Sequence, residues 1–435
     1  MSTQKQKNVN IVAVITMFFL FGMIGFVTNL AAPTGTIWMS QYNGSNTVAM
    51  LGNFMNFFAY LVMGIPAGLL LQKVGYKNTA LIAVIVGFVG IGIQFLAGKF
   101  TGDMGFIVYL MGAFVAGLCV CMLNTVVNPM LDTIGGGGTK GNTLLQWGGS
   151  LNSLFGSLVP VFVGSLIGDV VSKEMVAENP SLKLTEISDI NLILFIVMGI
   201  FALTAIILYF INIADPEVEK IDGRVRSPWK FRHFALGAIG IFIYVGVEVG
   251  IPGTMKFFLE NLKEGALKPS AAGTVVATYW FLMLIGRLVG GGISLKVGAR
   301  TLLSFVASVA IILVLAGILA PQSTLVSMPV ISNWKFGMET VPVNALLFVL
   351  VGLCTSVMWG GIFNLAVNGL GASIKKASGI FMMMVVGGGI LPQLQNGIVD
   401  WSGKNYMLSY IVPLLGLAYL LFYALIGSKN VEKKI

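Results

Sequence analysis

"FALGAIGIFIYVGVEVGIPGTMKFFLE" occupies residues 234–260, and Glu248 is the first charged residue within it. A helix rises 1.5 Å per residue, so about 20 apolar residues cross the roughly 30 Å hydrocarbon core of a bilayer. The stretch therefore predicts a membrane-spanning helix. It also raises a question, because a carboxylate near the centre of a bilayer costs free energy unless it binds something.

The whole chain has the composition of a membrane protein. Of its 435 residues, 56% are hydrophobic and only 10% are charged, and the mean hydropathy is +0.90. A soluble domain carries about a quarter charged residues. The net charge of +9 would also suit a nucleic-acid partner. We attribute it instead to basic loops on the cytoplasmic side of a membrane, and expect a lipid bilayer and no nucleic acid as partner.

Apolar runs long enough to span a bilayer recur twelve times along the sequence. They occupy residues 11–38, 46–71, 79–98, 106–131, 143–168, 190–213, 234–260, 270–294, 301–320, 343–370, 377–399 and 406–427. We therefore predict an all-α integral membrane protein with twelve transmembrane helices. These would form two bundles of six helices each.

The loops predict how the chain is oriented and divided. With the N-terminus inside, 18 of the 26 basic residues fall on the inner side, so both termini are predicted to be cytoplasmic. The charged stretch 214–232 is a predicted cytoplasmic linker between an N-terminal bundle, 1–213, and a C-terminal bundle, 233–435. The polar loops 170–189 and 321–342 fall outside, where we expect short helices or disorder.

The two halves share weak sequence repeats. The paired stretches are "KVGYK" (73–77) with "KVGAR" (296–300), "NTVVNP" (124–129) with "NLAVNG" (364–369), and "NLAAP" (29–33) with "EVGIP" (248–252). Each match is short, but the three occur in the same order and at equivalent depths. Repeated bundles joined by a basic loop are typical of secondary transporters, whose substrate site lies between the halves near the membrane midplane.

Polar side chains within the spans nominate that site, since a polar group facing lipid is costly. Asn124 and Asn128 lie four residues apart, on one face of the fourth span. Asn364 and Asn368 repeat this spacing in the tenth span. Such amides suit a neutral polyhydroxyl ligand, and further candidates with amides or flat aromatic faces are Asn152, Gln393, Asn396, Tyr244, Trp280 and Trp359. The alternative for each amide is an interhelical hydrogen bond, which membrane helices commonly form.

Glu248 is the only one of the seventeen acids placed near the middle of the bilayer. We expect no basic partner on the same span, because Lys256 lies more than two turns away. The first hypothesis is that Glu248 binds a coupling cation or a substrate hydroxyl. Asn29 has the equivalent place in the first half, and its oxygen would suit sodium at Glu248. A proton on Glu248 explains the same residues, and so does a protonated Glu248 that only bonds a neighbouring helix.

Other conspicuous residues fit a moving bundle rather than an active site. Arg287 lies toward the cytoplasmic end of the eighth span, where we expect a gating or inter-bundle contact. The glycines at 387–389 and Pro392 predict a bent or closely packed eleventh span. No phosphate-binding loop, histidine cluster or nucleophile motif is present, so we expect no cofactor and no enzymatic activity.

The chain resembles the fucose/glucose–galactose permease branch of the major facilitator superfamily. The matching stretches are "FFLFG" (18–22), "NTVVNP" (124–129), "YVGVEV" (244–249), "YWFLMLIGR" (279–287), "IFNLAVNGLG" (362–371) and "SGIFMMMVVGGGILPQLQNG" (378–397). This resemblance implies a monomer in the bacterial inner membrane that imports a monosaccharide with protons or sodium. It also implies sugar contacts at Asn128, Asn152, Tyr244, Trp280, Asn364 and Gln393, and it matches Glu248 to an acid typical of the glucose/galactose members.

The sequence departs from that family at several positions. Where proton-coupled fucose permeases have acids in the first and fourth spans, this chain has Asn29 and Asn124. The fifth-span motif fits Gln146 in one register and Asn152 in another. We therefore predict symport of a hexose or deoxyhexose with a cation, and leave sodium and proton both open. The alternative is a facilitator or flippase of the same fold that moves another polar or lipid-linked substrate.

Overall fold

The computed structural model describes residues 11–100, 102–135, 138–211, 227–294, 296–332, 334–370 and 373–429. Within these ranges the chain is mostly helical. The α-helices are α1 (Ile11–Gln41), α2 (Asn46–Ala49), α3 (Leu51–Ala97), α4 (Gly102–Ile134), α5 (Gly138–Ile167), α6 (Lys173–Glu178), α7 (Asn191–Phe210), α8 (Arg232–Glu260), α9 (Pro269–Ile293), α10 (Ala299–Leu319), α11 (Val343–Thr355), α12 (Met358–Val367), α13 (Ile374–Met384), α14 (Gly387–Trp401), α15 (Tyr406–Ser409) and α16 (Ile411–Phe422).

Eleven helical stretches of the described chain are long and apolar enough to cross a membrane. One of them, α3, has 47 residues, about twice the length that a bilayer requires. Its helix is broken at Gly75, which has φ +81°, a left-handed conformation that glycine adopts without a steric penalty. Because α3 thus contains two spans, the predicted twelve are confirmed.

The tenth and eleventh spans are interrupted rather than continuous. The tenth consists of α11 and α12, and the eleventh consists of α13 and α14. At the start of α14, a Cβ on Gly387 would lie 1.8 Å from the carbonyl oxygen of Phe242, and one on Gly388 would lie 2.7 Å from the ring of Phe57. Glycine therefore lets α14 contact both α8 and α3 closely. Of the two alternatives predicted for the eleventh span, bent or closely packed, the close packing is confirmed.

The spans form two bundles of six that meet along two seams. One seam is α5 against α9, and the other is α3 against α13 and α14. α7 ends the first half at Phe210, and α8 begins the second at Arg232. Most of the predicted linker 214–232 lies outside the described residues, so the exact bundle boundaries stay a prediction.

The two polar loops differ from each other. The loop 170–189 contains α6 and a 3-10 helix, Ile187–Ile190, as predicted. The prediction for 321–342 was wrong, because this loop forms an antiparallel hairpin of β1 (Leu325–Ser332) and β2 (Lys335–Pro342). Its strands are rich in residue types that favour β-structure, among them Val326, Val330, Ile331, Phe336 and Val341. We call the face at which α1 ends the outer face, since it is predicted to be extracellular.

Candidate functional site

A cavity of about 250 Å³ lies between the two bundles. We call it the central cavity. Helices of both halves contribute to it, as the sequence repeats predict for a transporter. Its polar and aromatic lining residues are Thr28, Asn29, Tyr60, Asn124, Asn128, Gln146, Asn152, Tyr244, Glu248, Trp280, Arg287, Ser356, Trp359 and Asn364, with Phe21, Phe57 and Phe363.

The amides of the first half lie where the four-residue spacing places them. Asn124 and Asn128 both line the cavity from α4, which is continuous at this point. Asn124 donates to Tyr60 Oη at 2.8 Å, and Asn128 donates to the Asn124 carbonyl oxygen at 2.8 Å. Asn29 lines the same cavity and donates to the Gly25 carbonyl oxygen at 2.9 Å. These bonds use amide N–H groups and hold the side chains in place.

The tenth span contributes Asn364 but not Asn368. α12 ends at Val367, and Asn368 has extended backbone angles, φ −60° and ψ 121°. The helical spacing that would place both amides on one face therefore stops between them. The carbonyl oxygen of Asn368 lies 2.8 Å from His233 Nε2, at the end of the bundle.

The two candidates of the eleventh span also lie away from the central cavity. Gln393 donates to the Thr47 carbonyl oxygen at 3.0 Å. Asn396 is buried and donates to Thr254 Oγ1 at 3.0 Å. Both residues occupy the outer half of the span, beyond the cavity. Their amides form hydrogen bonds between helices, which is the predicted alternative to contact with a ligand.

Glu248 has a basic partner, which comes from a neighbouring helix. Its Oε1 accepts a hydrogen bond from Tyr244 Oη at 2.8 Å and lies 3.2 Å from Arg287 Nη2. Tyr244 is one turn away on α8, whereas Arg287 extends from α9. The sequence predicted no basic partner for Glu248 on α8, and none is there. The carboxylate is nevertheless ion-paired, because the partner comes from α9.

Arg287 also connects the two bundles. Its Nη1 donates to the carbonyl oxygen of Gly149 on α5, while Nη2 binds Glu248 on α8. A Cβ on Gly149 would lie 3.0 Å from that guanidinium, so the small residue leaves room for it. The planar guanidinium suits two partners at once, because its N–H groups point in fixed directions. The sequence predicted a gating or inter-bundle contact near the cytoplasmic face for Arg287; its bond to Gly149 is a contact between the bundles, and the side chain also lines the central cavity.

Aromatic rings provide the apolar part of the lining. Trp280 lines the cavity from α9, and Trp359 lines it from α12. The rings of Trp359 and Tyr244 are 6.2 Å apart and tilted by 56°. Flat rings of this kind pack against the C–H surfaces of a ligand whose hydroxyls bond elsewhere.

Sequence reasoning missed several lining residues. Thr28, Tyr60 and Ser356 line the cavity, and Gln146 lines it together with Asn152, so both registers of the fifth-span motif reach the site. Each is polar and lies within a span, which is the signal that nominated the other residues. In the described part of the chain, no group of three or more histidine, cysteine or acidic side chains could hold a metal ion.

A cluster between the bundles closes the outer side of the cavity. Lys256 of α8 is buried and donates to Thr36 of α1 and to Glu260. Thr36 Oγ1 in turn donates to Glu260 Oε2 at 3.0 Å. Lys256 reaches a small cavity that shares Asn29 and Trp280 with the central one, while Thr36 and Glu260 line an outer depression. The cluster thus separates the site from the outer face.

A second polar cluster joins the bundles at the outer surface. Asp400 of α14 accepts hydrogen bonds from the backbone N–H groups of Asn46 at 3.0 Å and Thr47 at 2.8 Å, and from Ser45 Oγ at 3.0 Å. Lys404 binds Asp400 at 2.7 Å and Asn46 Oδ1 at 2.8 Å. We call these five residues the outer latch, since α2 belongs to the first half and Asp400 to the second.

Comparison with known proteins agrees with this architecture. A family model described as Major Facilitator Superfamily matches residues 14–392. The chain is 29% identical to the "Glucose/galactose transporter" of Brucella abortus biovar 1 (strain 9-941), over 99% of this chain and 96% of that protein. It is 22% identical to the "L-fucose-proton symporter" of Escherichia coli (strain K12), over 95% of this chain and 92% of that protein.

Solved structures show the same fold. The crystal structure of the E. coli fucose:proton symporter FucP superposes with a TM-score of 0.69 at 19% identity, covering 96% of this chain and 98% of that one. The family match over most of the chain agrees with the helical bundles and with the cavity between them. The chain belongs to the major facilitator superfamily, a family of membrane transporters rather than enzymes, in the branch that contains fucose and glucose/galactose transporters.

Proposed function

We propose that this chain imports a monosaccharide of the hexose or deoxyhexose type together with a cation, by alternating access of the central cavity to the two sides of the membrane. The observation that carries this proposal is the cavity between the bundles, which combines amides, aromatic rings and one ion pair. The names of the relatives support a sugar as the substrate. On this proposal the chain acts as a monomer in the bacterial inner membrane, with both termini in the cytoplasm.

The lining of the cavity suits a small polyhydroxyl ligand. Asn128, Asn152 and Asn364 each offer an amide that both donates and accepts hydrogen bonds. Trp280 and Trp359 offer ring faces for the C–H side of a sugar. The volume of about 250 Å³ lies below the roughly 300–1,000 Å³ typical of pockets for drug-sized ligands. A single pyranose ring fits these features better than a lipid-linked or oligomeric substrate.

Glu248 is the proposed cation-binding residue, and its surroundings favour a proton over sodium. Sodium binds best where several oxygen ligands converge. Around Glu248 Oε1, however, the neighbours are the donors Tyr244 Oη and Arg287 Nη2, at 2.8 Å and 3.2 Å. A proton needs no set of ligands and binds one carboxylate oxygen.

Protonation of Glu248 would change a contact between the bundles. A neutral carboxyl group no longer attracts the Arg287 guanidinium, whose other N–H group binds Gly149 of the first half. The proton thus acts on the residue that connects α8, α9 and α5. We propose that this linkage couples proton binding to the rearrangement of the two bundles.

Transport by the purified chain in liposomes tests this function. Uptake of labelled glucose, galactose and fucose would be measured under an inward proton gradient, an inward sodium gradient or no gradient. We expect accumulation with the proton gradient alone. In Glu248→Gln, accumulation should be lost while sugar-for-sugar exchange is retained, because exchange requires sugar binding but no net proton movement.

The matched control is Glu178→Gln, which changes an exposed acid at the end of α6 and should behave as the unmodified chain. Gradient-driven accumulation by Glu248→Gln would show that the coupling role is wrong. Accumulation driven by a sodium gradient alone would show that the coupling cation is sodium and not the proton. Equilibration without accumulation under every gradient would identify a facilitator, and transport of no sugar at all would overturn the proposed substrate class.

A further inference from the structure

The hairpin of β1 and β2 has one packed face and one apolar face that is largely exposed. Met328 and Val330 point to one side and are only 4% and 2% exposed. Phe336 and Met338 point to the other side and are 78% and 59% exposed. The two faces follow from the alternation of side chains along a strand.

The exposed face extends across both strands to the turn. In the register of the hairpin, Ile331 is paired with Phe336 and Pro329 with Met338, so these four side chains lie together. Trp334 follows in the turn and is also exposed. An exposed group of large apolar side chains on a folded protein marks a surface that contacts a partner or a membrane.

Two contacts fix the depth of the turn. Thr274 Oγ1 donates to the Ile331 carbonyl oxygen at 2.9 Å, and Thr274 is five residues into α9, which begins at Pro269. The Trp334 ring lies 5.2 Å from the ring of Phe162, five residues before the end of α5 at Ile167. At 1.5 Å per residue, both contacts are about 8 Å below the outer ends of these spans. The turn therefore lies beside the helices rather than above them.

The apolar face is also continuous with a surface that faces lipid. α5 exposes Leu154, Leu158 and Phe162 at four-residue spacing, which forms one stripe along the helix. In a membrane-spanning helix, such an exposed apolar stripe faces acyl chains. Trp334 packs against Phe162, the outermost of these residues. The hairpin thus extends the lipid-facing surface at its outer edge.

We propose that the hairpin Leu325–Pro342 inserts its apolar face into the outer leaflet of the bilayer, at the boundary between headgroups and acyl chains. Tryptophan is enriched at this depth, because its ring is apolar and its N–H is polar. A two-stranded sheet has free backbone edges that need water or another partner. The boundary supplies water for these edges and apolar chains for Phe336 and Met338, whereas the hydrocarbon centre would leave the edges unsatisfied.

Site-directed fluorescence in lipid nanodiscs tests this proposal. An environment-sensitive probe would be attached to Phe336→Cys, Met338→Cys or the control Lys335→Cys, whose side chain points to the opposite face of β2. The native Cys119, Cys121 and Cys354 are buried, and the unsubstituted chain measures their background labelling. Quenching would be measured with doxyl groups on the lipids and with iodide in the water.

We expect lipid-borne doxyl groups to quench the probes at 336 and 338 severalfold more than the probe at 335, and iodide to show the reverse order. Strong iodide quenching at all three positions would overturn the proposal, because the face would then be in water. Protection from iodide without doxyl quenching would also overturn it and would indicate a protein occupant, such as a second copy of the chain. Lipid dilution, which separates copies, would identify that case.

Discussion

At the centre of the cavity, a single carboxylate oxygen accepts from both Tyr244 and Arg287. A charged side chain usually stays in contact with water, but the position of Glu248 on α8 places it between the bundles. The nearby guanidinium compensates the carboxylate charge there. Breaking a buried pair by deleting one partner typically costs about 3–5 kcal/mol, because the remaining charge is left uncompensated. The two residues should therefore behave as one unit.

This coupling predicts the result of a double-mutant cycle. Arg287→Gln should lower the stability of the chain by about 3–5 kcal/mol at neutral pH, because Glu248 loses its counter-charge. Arg287→Gln combined with Glu248→Gln should be less destabilised than the single Arg287→Gln variant. The measurement is the apparent melting temperature of each purified variant in the same detergent.

The exposed pair Lys183–Asp189, 2.8 Å apart in the outer loop, is the matched control. Lys183→Gln should change stability by only about 0–1 kcal/mol, since exposed ion pairs contribute little. Equal losses in the single Arg287 variant and the double variant would contradict the coupling between the two charges.

The burial of Glu248 could be predicted from the sequence, whereas its partner could not. Burial follows from the apolar residues on both sides of it along α8. The partner lies 39 positions away on α9, and the contact depends on how the two helices are rotated about their axes. Nothing in the local pattern of either helix specifies that rotation.

At the scale of helices, an amide reaches the site only if its helix continues through that residue. α4 continues through Asn124 and Asn128, so their spacing places both in the cavity. The tenth span has the same spacing, but α12 ends before Asn368. The hairpin shows a different case. Its valine, isoleucine and phenylalanine residues between 325 and 342 favour strands, but the polar residues among them led us to expect short helices or disorder.

The glycines of α14 give a prediction at the same scale. Gly387→Ala should destabilise the chain, because the added Cβ would lie 1.8 Å from the Phe242 carbonyl oxygen and would force α14 away from α8. Overpacking of this kind typically costs about 1–3 kcal/mol. The readout is again the apparent melting temperature in detergent.

Gly397→Ala, nearly three turns further along the same helix, is the control. A Cβ there meets no other atom within 4 Å, so the substitution should be neutral or raise stability by up to about 1 kcal/mol through helix propensity. If both alanine variants melt at the same temperature, close packing of α14 on α8 does not limit stability.

For the whole molecule, the distribution of contacts between the bundles indicates which side is closed. On the outer side, the described residues form the Thr36–Lys256–Glu260 cluster and the outer latch. Both connect residues far apart in the sequence, from the first half to the second. These side chains occur at span ends, where polar residues are common, so their pairing could not be predicted from the sequence. To expose the cavity to the outer side, the bundles must break both clusters.

Weakening the outer latch should therefore open the cavity outward more often. Asp400→Asn removes the charge that binds Lys404 and the N–H groups of Asn46 and Thr47. Hydrogen bonds to a charged group contribute about 1.5–3 kcal/mol, so we expect about a tenfold faster reaction of a cavity cysteine with an impermeant thiol reagent added outside. That cysteine is introduced as Thr28→Cys, which lines the central cavity.

Asp189→Asn is the matched control, because it removes an acid from the same face whose contacts, to Lys183 and to the backbone N–H of Glu186, stay within one loop. The reaction rate in this variant should equal that of the parent carrying Thr28→Cys alone. An unchanged rate in Asp400→Asn would mean that the latch does not hold the outer side closed. In that case the buried Thr36–Lys256–Glu260 cluster would be the stronger of the two links at the outer face, and the same assay on Lys256→Met would then show the faster labelling.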